Sequence, residues 1–171
     1  LSIRRQRQMC IRDSYYTTTK TFYESGYTYQ CDVRVSGFIA LYNKSNTWNN
    51  IYPVYKNTGE TFAQTDEGVE LLENDTWTRS KRFSIVNEAF STSEKQRVKG
   101  HDFDIIMYIN STTGTVDEVN FEFYKSTPYT TIPISTFRKI ETEIKKNIWY
   151  TPTAEGKELS YIYYWWAQEP K

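Results

Sequence analysis

Apolar and polar positions alternate from Tyr27 onward, with Tyr27, Tyr29, Cys31, Val33 and Val35 on one parity and Thr28, Gln30, Asp32, Arg34 and Ser36 on the other. A period of two sends the sets to opposite faces of an extended chain, so the pattern predicts a half-buried strand. Gly37 interrupts it, residues 38–42 continue as a strand or bent extension, and Asn43-Lys44-Ser45-Asn46 supplies turn chemistry before an aromatic segment, residues 48–55. Pro53 has no amide to give a ladder and points to an edge position. Turn signals at residues 57–59 and 66–68 bracket residues 60–64, and residues 69–72 close what reads as a meander of short strands.

Beyond Trp77 the period changes. Phe83, Val86 and Phe90 recur at helical spacing, with Ser80 as a candidate N-cap, so a helix is expected over about residues 81–97, kinked or restarted at the polar stretch 91–94. A strand over residues 102–110 follows, with Phe103, Ile105, Met107 and Ile109 on one face. The turn Ser111-Thr112-Thr113-Gly114 leads into a strand carrying Val119, Phe121 and Phe123, which makes a hairpin. Phe137, Ile140, Ile144 and Ile148 then mark an amphipathic helix with Ser135 as candidate cap and Lys145 and Lys146 near its negative end. Residues 159–166 form a last strand that is apolar or aromatic on both faces.

The run Ile109-Asn110-Ser111-Thr112-Thr113-Gly114-Thr115-Val116 and then Val119, followed by a helix and by Trp149-Tyr150-Thr151-Pro152 and Gly156-Lys157, resembles the TonB C-terminal domain. That family has strand, Asn-x-x-Gly-x-Val turn, strand, helix, aromatic-x-x-Pro, Gly-Lys and final strand in this order. The resemblance covers residues 80–171 and implies an αββαβ unit behind a β-rich subdomain at residues 15–79, an α+β protein as a whole. The connection over residues 126–134 is longer than in the family. A periplasmic energy transducer is thus an alternative function, and the Pro-rich linker and membrane anchor of that role do not precede the unit here. The chain as a whole is similar in style to uncharacterised secreted or envelope proteins of gut bacteria, which implies a periplasmic, outer-membrane-associated or secreted location.

Composition narrows the functional classes. The 15 Tyr among 171 residues favour strands, and 21 basic against 21 acidic side chains leave no basic stripe for a nucleic acid or an anionic membrane. Residues 1–14 (LSIRRQRQMCIRDS) fit no folded pattern and lack a signal peptide's apolar core. Back-translated, residues 8–14 spell CAG ATG TGT ATA AGA GAC AG and a pyrimidine, which resembles the end of a transposase-type sequencing adaptor, so the segment is read as non-native. With its four Arg and one Asp set aside, 17 basic and 20 acidic side chains remain, a net charge of −3, and Cys31 stands alone. One cysteine makes neither an intramolecular disulfide nor a multi-cysteine metal site. No run of about 18 apolar residues is present to span a membrane.

Catalytic signatures are sparse. The sequence holds no Gly-rich phosphate loop, Gly-x-Ser-x-Gly elbow or His-Glu-x-x-His. His101 is a surface histidine at a strand entrance, Cys31 a small hydrophobe on an apolar face, and Asp102 and Asp104 solvated charges. A hydrolase built on Asp102, Asp104 and His101 is the lesser alternative. The expected function is a non-catalytic binding or scaffold module that needs no cofactor or metal. Its binding residues are expected on the last strand, where Tyr161, Tyr163 and Trp165 pack on the Phe137 helix and leave Ile162, Tyr164 and Trp166 either covered by the N-terminal meander or exposed as an aromatic face, extended by Trp48 and Tyr52. The expected partner is another envelope protein or a glycan.

Overall fold

Antiparallel strands can be joined by tight turns, and the N-terminal alternation folds that way. In the computed structural model, which describes residues 14–63 and 70–171, β1 (Lys20–Glu24), β2 (Tyr27–Val33) and β3 (Phe38–Asn43) form an antiparallel meander. Gly26 and Gly37 turn it at φ 85° and 81°, a region that suits a residue without Cβ. The expectations for residues 1–13 and for the 66–68 turn lie outside the described residues. β2 stops at Val33, so Val35 is fully exposed rather than on the buried face.

The second half adds α1 (Trp77–Ala89), α2 (Thr92–Val98), β4 (Phe103–Ile109), β5 (Val116–Tyr124), a 3-10 turn (Pro128–Thr131), α3 (Ile134–Asn147), the short α4 (Ala154–Lys157) and β6 (Ile162–Gln168). The expected single helix over residues 81–97 is two helices. Phe90 takes extended dihedrals (φ −82°, ψ 134°), and Ser91 starts α2 with a capping box to Glu94. Ser80 lies inside α1 and caps nothing. Nor does Ser135 cap α3, whose N-cap is Pro133.

All strand pairs are antiparallel, and the sheet order is β1-β2-β3-β5-β4-β6. Because β3 pairs with β5, one sheet runs through both of the expected subdomains. The fold is α+β, as expected. The register sets Cys31, Leu41, Phe121, Ile105 and Trp166 side by side across five strands, all buried. α3 lays Phe137, Ile140 and Ile144 over this face, each fully buried. The Phe137 ring stacks on Phe123 at 5.6 Å and 11° and lies 5.1 Å from Phe121. Full burial of such side chains stabilises by about 1.5–3 kcal/mol each, so this layer is the main apolar source of stability.

Among the described residues of the 48–72 stretch the expected short strands do not form. Among the described residues the segment holds only single bridges, Val54 to Thr61, Tyr55 to Leu159 and Leu72 to Pro152. Its backbone groups are satisfied elsewhere: Val54 N–H donates to Ser160 Oγ (3.1 Å) and Lys56 N–H to the Glu158 carbonyl (2.8 Å). The Trp, Tyr and Thr content that suggested strands instead serves a strap lying on the sheet face opposite the helices.

Candidate functional site

Even positions on β2 to β5 and odd positions on β6 make up the face that the helices do not cover. Register places Gln30, Tyr42, Asn120, Ile106 and Trp165 in one row there, Asp32, Ala40, Glu122, Asp104 and Ala167 in the next, and Glu118, Tyr108 and Tyr163 in a third. The strap over residues 44–63 crosses part of this face. Two residues of β5 pin it. The buried Glu118 carboxylate accepts from Thr47 N–H (2.6 Å), Thr47 Oγ1 (2.9 Å) and Trp48 N–H (3.0 Å). Asn120 accepts from Asn46 Nδ2 (2.8 Å) and donates to Asn49 Oδ1 and Tyr108 Oη (3.1 Å each). Tyr161 Oη donates to the Ile51 carbonyl while its ring meets Trp48 at 4.7 Å.

Between this strap and the sheet lies a groove of about 690 Å³. Ile106, Tyr108, Tyr163, Trp165 and Glu122 make its floor, residues 49–53 and 61–63 its wall, and Arg34 closes one end. Asn50, on the wall, adopts φ 61°, a conformation asparagine tolerates better than other side chains with a Cβ. Trp165 is 55% exposed and Tyr52 77%, so two large rings line the opening without cover among the described residues.

The electrostatics single out one pair. Asp104 sits directly across from Glu122 in the β4/β5 ladder. Burial, and then the neighbouring carboxylates, raise both above the ordinary range, while Arg34 at 3.7 Å from Glu122 opposes the rise for that residue. Neither carboxylate accepts a hydrogen bond among the described residues, although both are half-buried.

The expected division of the last strand is reversed. Ile162, Tyr164 and Trp166 pair with Ile109, Met107 and Ile105 and so face the helices, while Tyr163 and Trp165 face the groove. Ile162 and Trp166 are buried, and Tyr164 is half-buried. Arg82 of α1, 4% exposed, lies 4.6 Å from the rings of both Tyr164 and Trp166 and donates to Tyr164 Oη (3.1 Å). The expected aromatic face of Ile162, Tyr164 and Trp166 is therefore an internal one. A strand whose two parities are equally aromatic carries no signal for its face, and a shift of one residue exchanges them. Of the five expected binding residues, Tyr52 lines the groove and Trp48 supports it from behind.

His101, Asp102 and Asp104 do not form a common site. His101 and Asp102 are exposed ahead of β4, and the His101 carbonyl accepts from Tyr129 Oη (2.7 Å) on the helix side, whereas Asp104 faces the other way. Burial pushes the Cys31 thiol up to about 12, which leaves it without a thiolate at neutral pH. Among the described residues no group of three or more His, Cys, Asp or Glu is placed to hold a metal, and no helix is long and apolar enough to cross a membrane. Sequence reasoning missed Arg34, Tyr108, Glu122, Tyr163 and Trp165 as groove residues. Nothing in the sequence sets Glu122 apart, because Asn120 and Glu122 alternate with Val119, Phe121 and Phe123 as any polar face does.

Residues 12–166 match the family model DUF5043, a domain of unknown function. The fold is similar to the crystal structure of a DUF5043 family protein from Bacteroides uniformis, with 36% sequence identity, a TM-score of 0.87, and 92% of this chain and 95% of that chain covered. No curated protein matches the chain.

Proposed function

The chain belongs to the DUF5043 family, and we propose that it is a non-catalytic binding module of the bacterial envelope or secreted fraction whose open-face groove takes a carbohydrate. The observation that carries this is the aromatic floor, the exposed Trp165 and the half-buried Tyr163 beside the buried Tyr108, facing a strap that presents Asn49 and Asn50. The apolar C–H face of a sugar ring stacks on such rings while its hydroxyls need amides and carboxylates at the edges, and this groove supplies both. The energy-transducer alternative draws on the order of elements alone, and the hydrolase alternative loses its pocket because His101 and Asp104 diverge.

Calorimetric titration of the full chain with oligosaccharides tests the proposal, alongside Trp165→Ala. Binding that weakens at least about tenfold in the variant, roughly 1.4 kcal/mol, is the expected result. Wild-type protein that binds no oligosaccharide, or a Trp165→Ala protein that binds as well as wild type, overturns it.

A further inference from the structure

We propose that the groove selects a positively charged sugar, an oligosaccharide with free amino groups, with an ammonium seated at Glu122 and Asp104; this rests on the carbohydrate reading above. Charge complementarity at the edge of the groove carries it, because Asp104 lies just outside the lining, next to Glu122. Glu122 lines the floor, and Asp104 stands directly opposite it on the neighbouring strand. Like charges in that relation destabilise a sheet, and nothing among the described residues relieves this pair with a hydrogen bond. The Arg34 guanidinium approaches Glu122 Oε1 at 3.7 Å, beyond hydrogen-bond range, and its side chain is 51% exposed. An exposed pair of that kind contributes little and rearranges readily. The other carboxylates on this face are differently engaged: Asp32 accepts from Tyr42 Oη (2.7 Å) and Gln30 Nε2 (2.9 Å), and Glu118 holds the strap. Asp104 and Glu122 are thus the two acids left for a ligand.

The aromatic floor lies beside them. Trp165 is diagonal to Asp104, since Ile106 pairs with Trp165 and Asp104 with Ala167. Diagonal neighbours on a sheet are about 7–8 Å apart, so a sugar stacked on the Trp165 ring brings an amino substituent to the carboxylates. An ammonium supplies both the donors and the positive charge that the pair lacks, and a ring face above it adds cation–π attraction. Ala167, two residues further along the edge strand and exposed, has no side chain long enough to occupy the place beside Asp104.

The test titrates the full chain at about pH 6 with the hexamers of glucosamine, N-acetylglucosamine and glucose, and with hexalysine. The glucosamine hexamer is expected to bind at least about tenfold more tightly than either neutral hexamer. That preference disappears in the Asp104→Asn/Glu122→Gln protein and shrinks in ~0.5 M salt. Arg34→Ala, which removes the competing cation, tightens it. Equal or tighter binding of a neutral hexamer, or weaker binding of the glucosamine hexamer by Arg34→Ala, overturns the charge selection and leaves the carbohydrate reading standing. Hexalysine binding that depends on Trp165 with no oligosaccharide bound overturns both, and identifies a basic protein segment as the occupant.

Discussion

The two faces of the one sheet differ in what their side chains lack. On the helix side the large groups are packed and largely bonded: Phe137 is enclosed by rings, Arg82 lies between Tyr164 and Trp166 although its Nη1 has no hydrogen-bond partner among the described residues, and the fully buried Glu141 of α3 accepts from Tyr29 Oη, from Arg138 Nη1 (2.8 Å) and from Asn43 Nδ2 (3.3 Å). On the open side the strap is equally well bonded where it is anchored, at Glu118 and Asn120, yet it ends against an aromatic floor and two carboxylates without donors. Stability and recognition therefore fall on opposite parities of the same strands. Substitutions on alternate residues should separate them.

The largest effect is expected where the helix layer is densest. Phe137→Ala removes a ring packed on Phe121 and Phe123 and should cost about 3–5 kcal/mol in urea unfolding. A loss under about 1 kcal/mol would mean that α3 is not the principal cover of that face. Arg82→Ala comes next, because it removes a buried cation with two aromatic contacts and the bond to Tyr164. It should cost about 2–4 kcal/mol. If Tyr164 and Trp166 formed a ligand face instead, this change would spare stability and alter binding.

Much of the covered face was legible from periodicity, since Phe103, Ile105, Met107 and Ile109, Val119, Phe121 and Phe123, and Phe137, Ile140 and Ile144 all point where their spacing put them. β1 escaped notice because Lys20 to Glu24 mixes charge and aromatic residues without a clean alternation. The strap was misread because Trp48, Tyr52 and Tyr55 have strand propensity, while what fixes their backbone is long-range: Glu118, Asn120 and Ser160 lie about seventy to over a hundred residues away in sequence. The groove depends on that same long-range anchoring and on the face taken by β6, and composition encodes neither.

Trp165→Ala sharpens the contrast from the open side. The ring is 55% exposed, so the loss of stability should stay below about 1 kcal/mol while oligosaccharide affinity falls. Comparable losses in this protein and in Phe137→Ala would show that both faces are structural.

The smallest effect has the opposite sign. Asp104 and Glu122 oppose each other across β4 and β5, and burial first, then the neighbouring carboxylates, hold both above their ordinary values of 3.8 and 4.5. The charged groups that act on them are Asp102 for Asp104, and Arg34 and Asp104 for Glu122, and Arg34 alone favours ionisation. A raised carboxylate pKa means that the folded state binds protons more tightly than the unfolded chain. Its favourable effect on stability is therefore fully present below the ordinary values and is lost as pH rises through the folded value. Asp104→Asn/Glu122→Gln removes this dependence. At pH 7 the double variant should be more stable than wild type by about 0.2–1 kcal/mol, with the difference shrinking toward about pH 4. A variant less stable than wild type at pH 7 would mean that Arg34 and the sheet already stabilise the charged pair, and the carboxylates would then belong with the satisfied groups of the covered face.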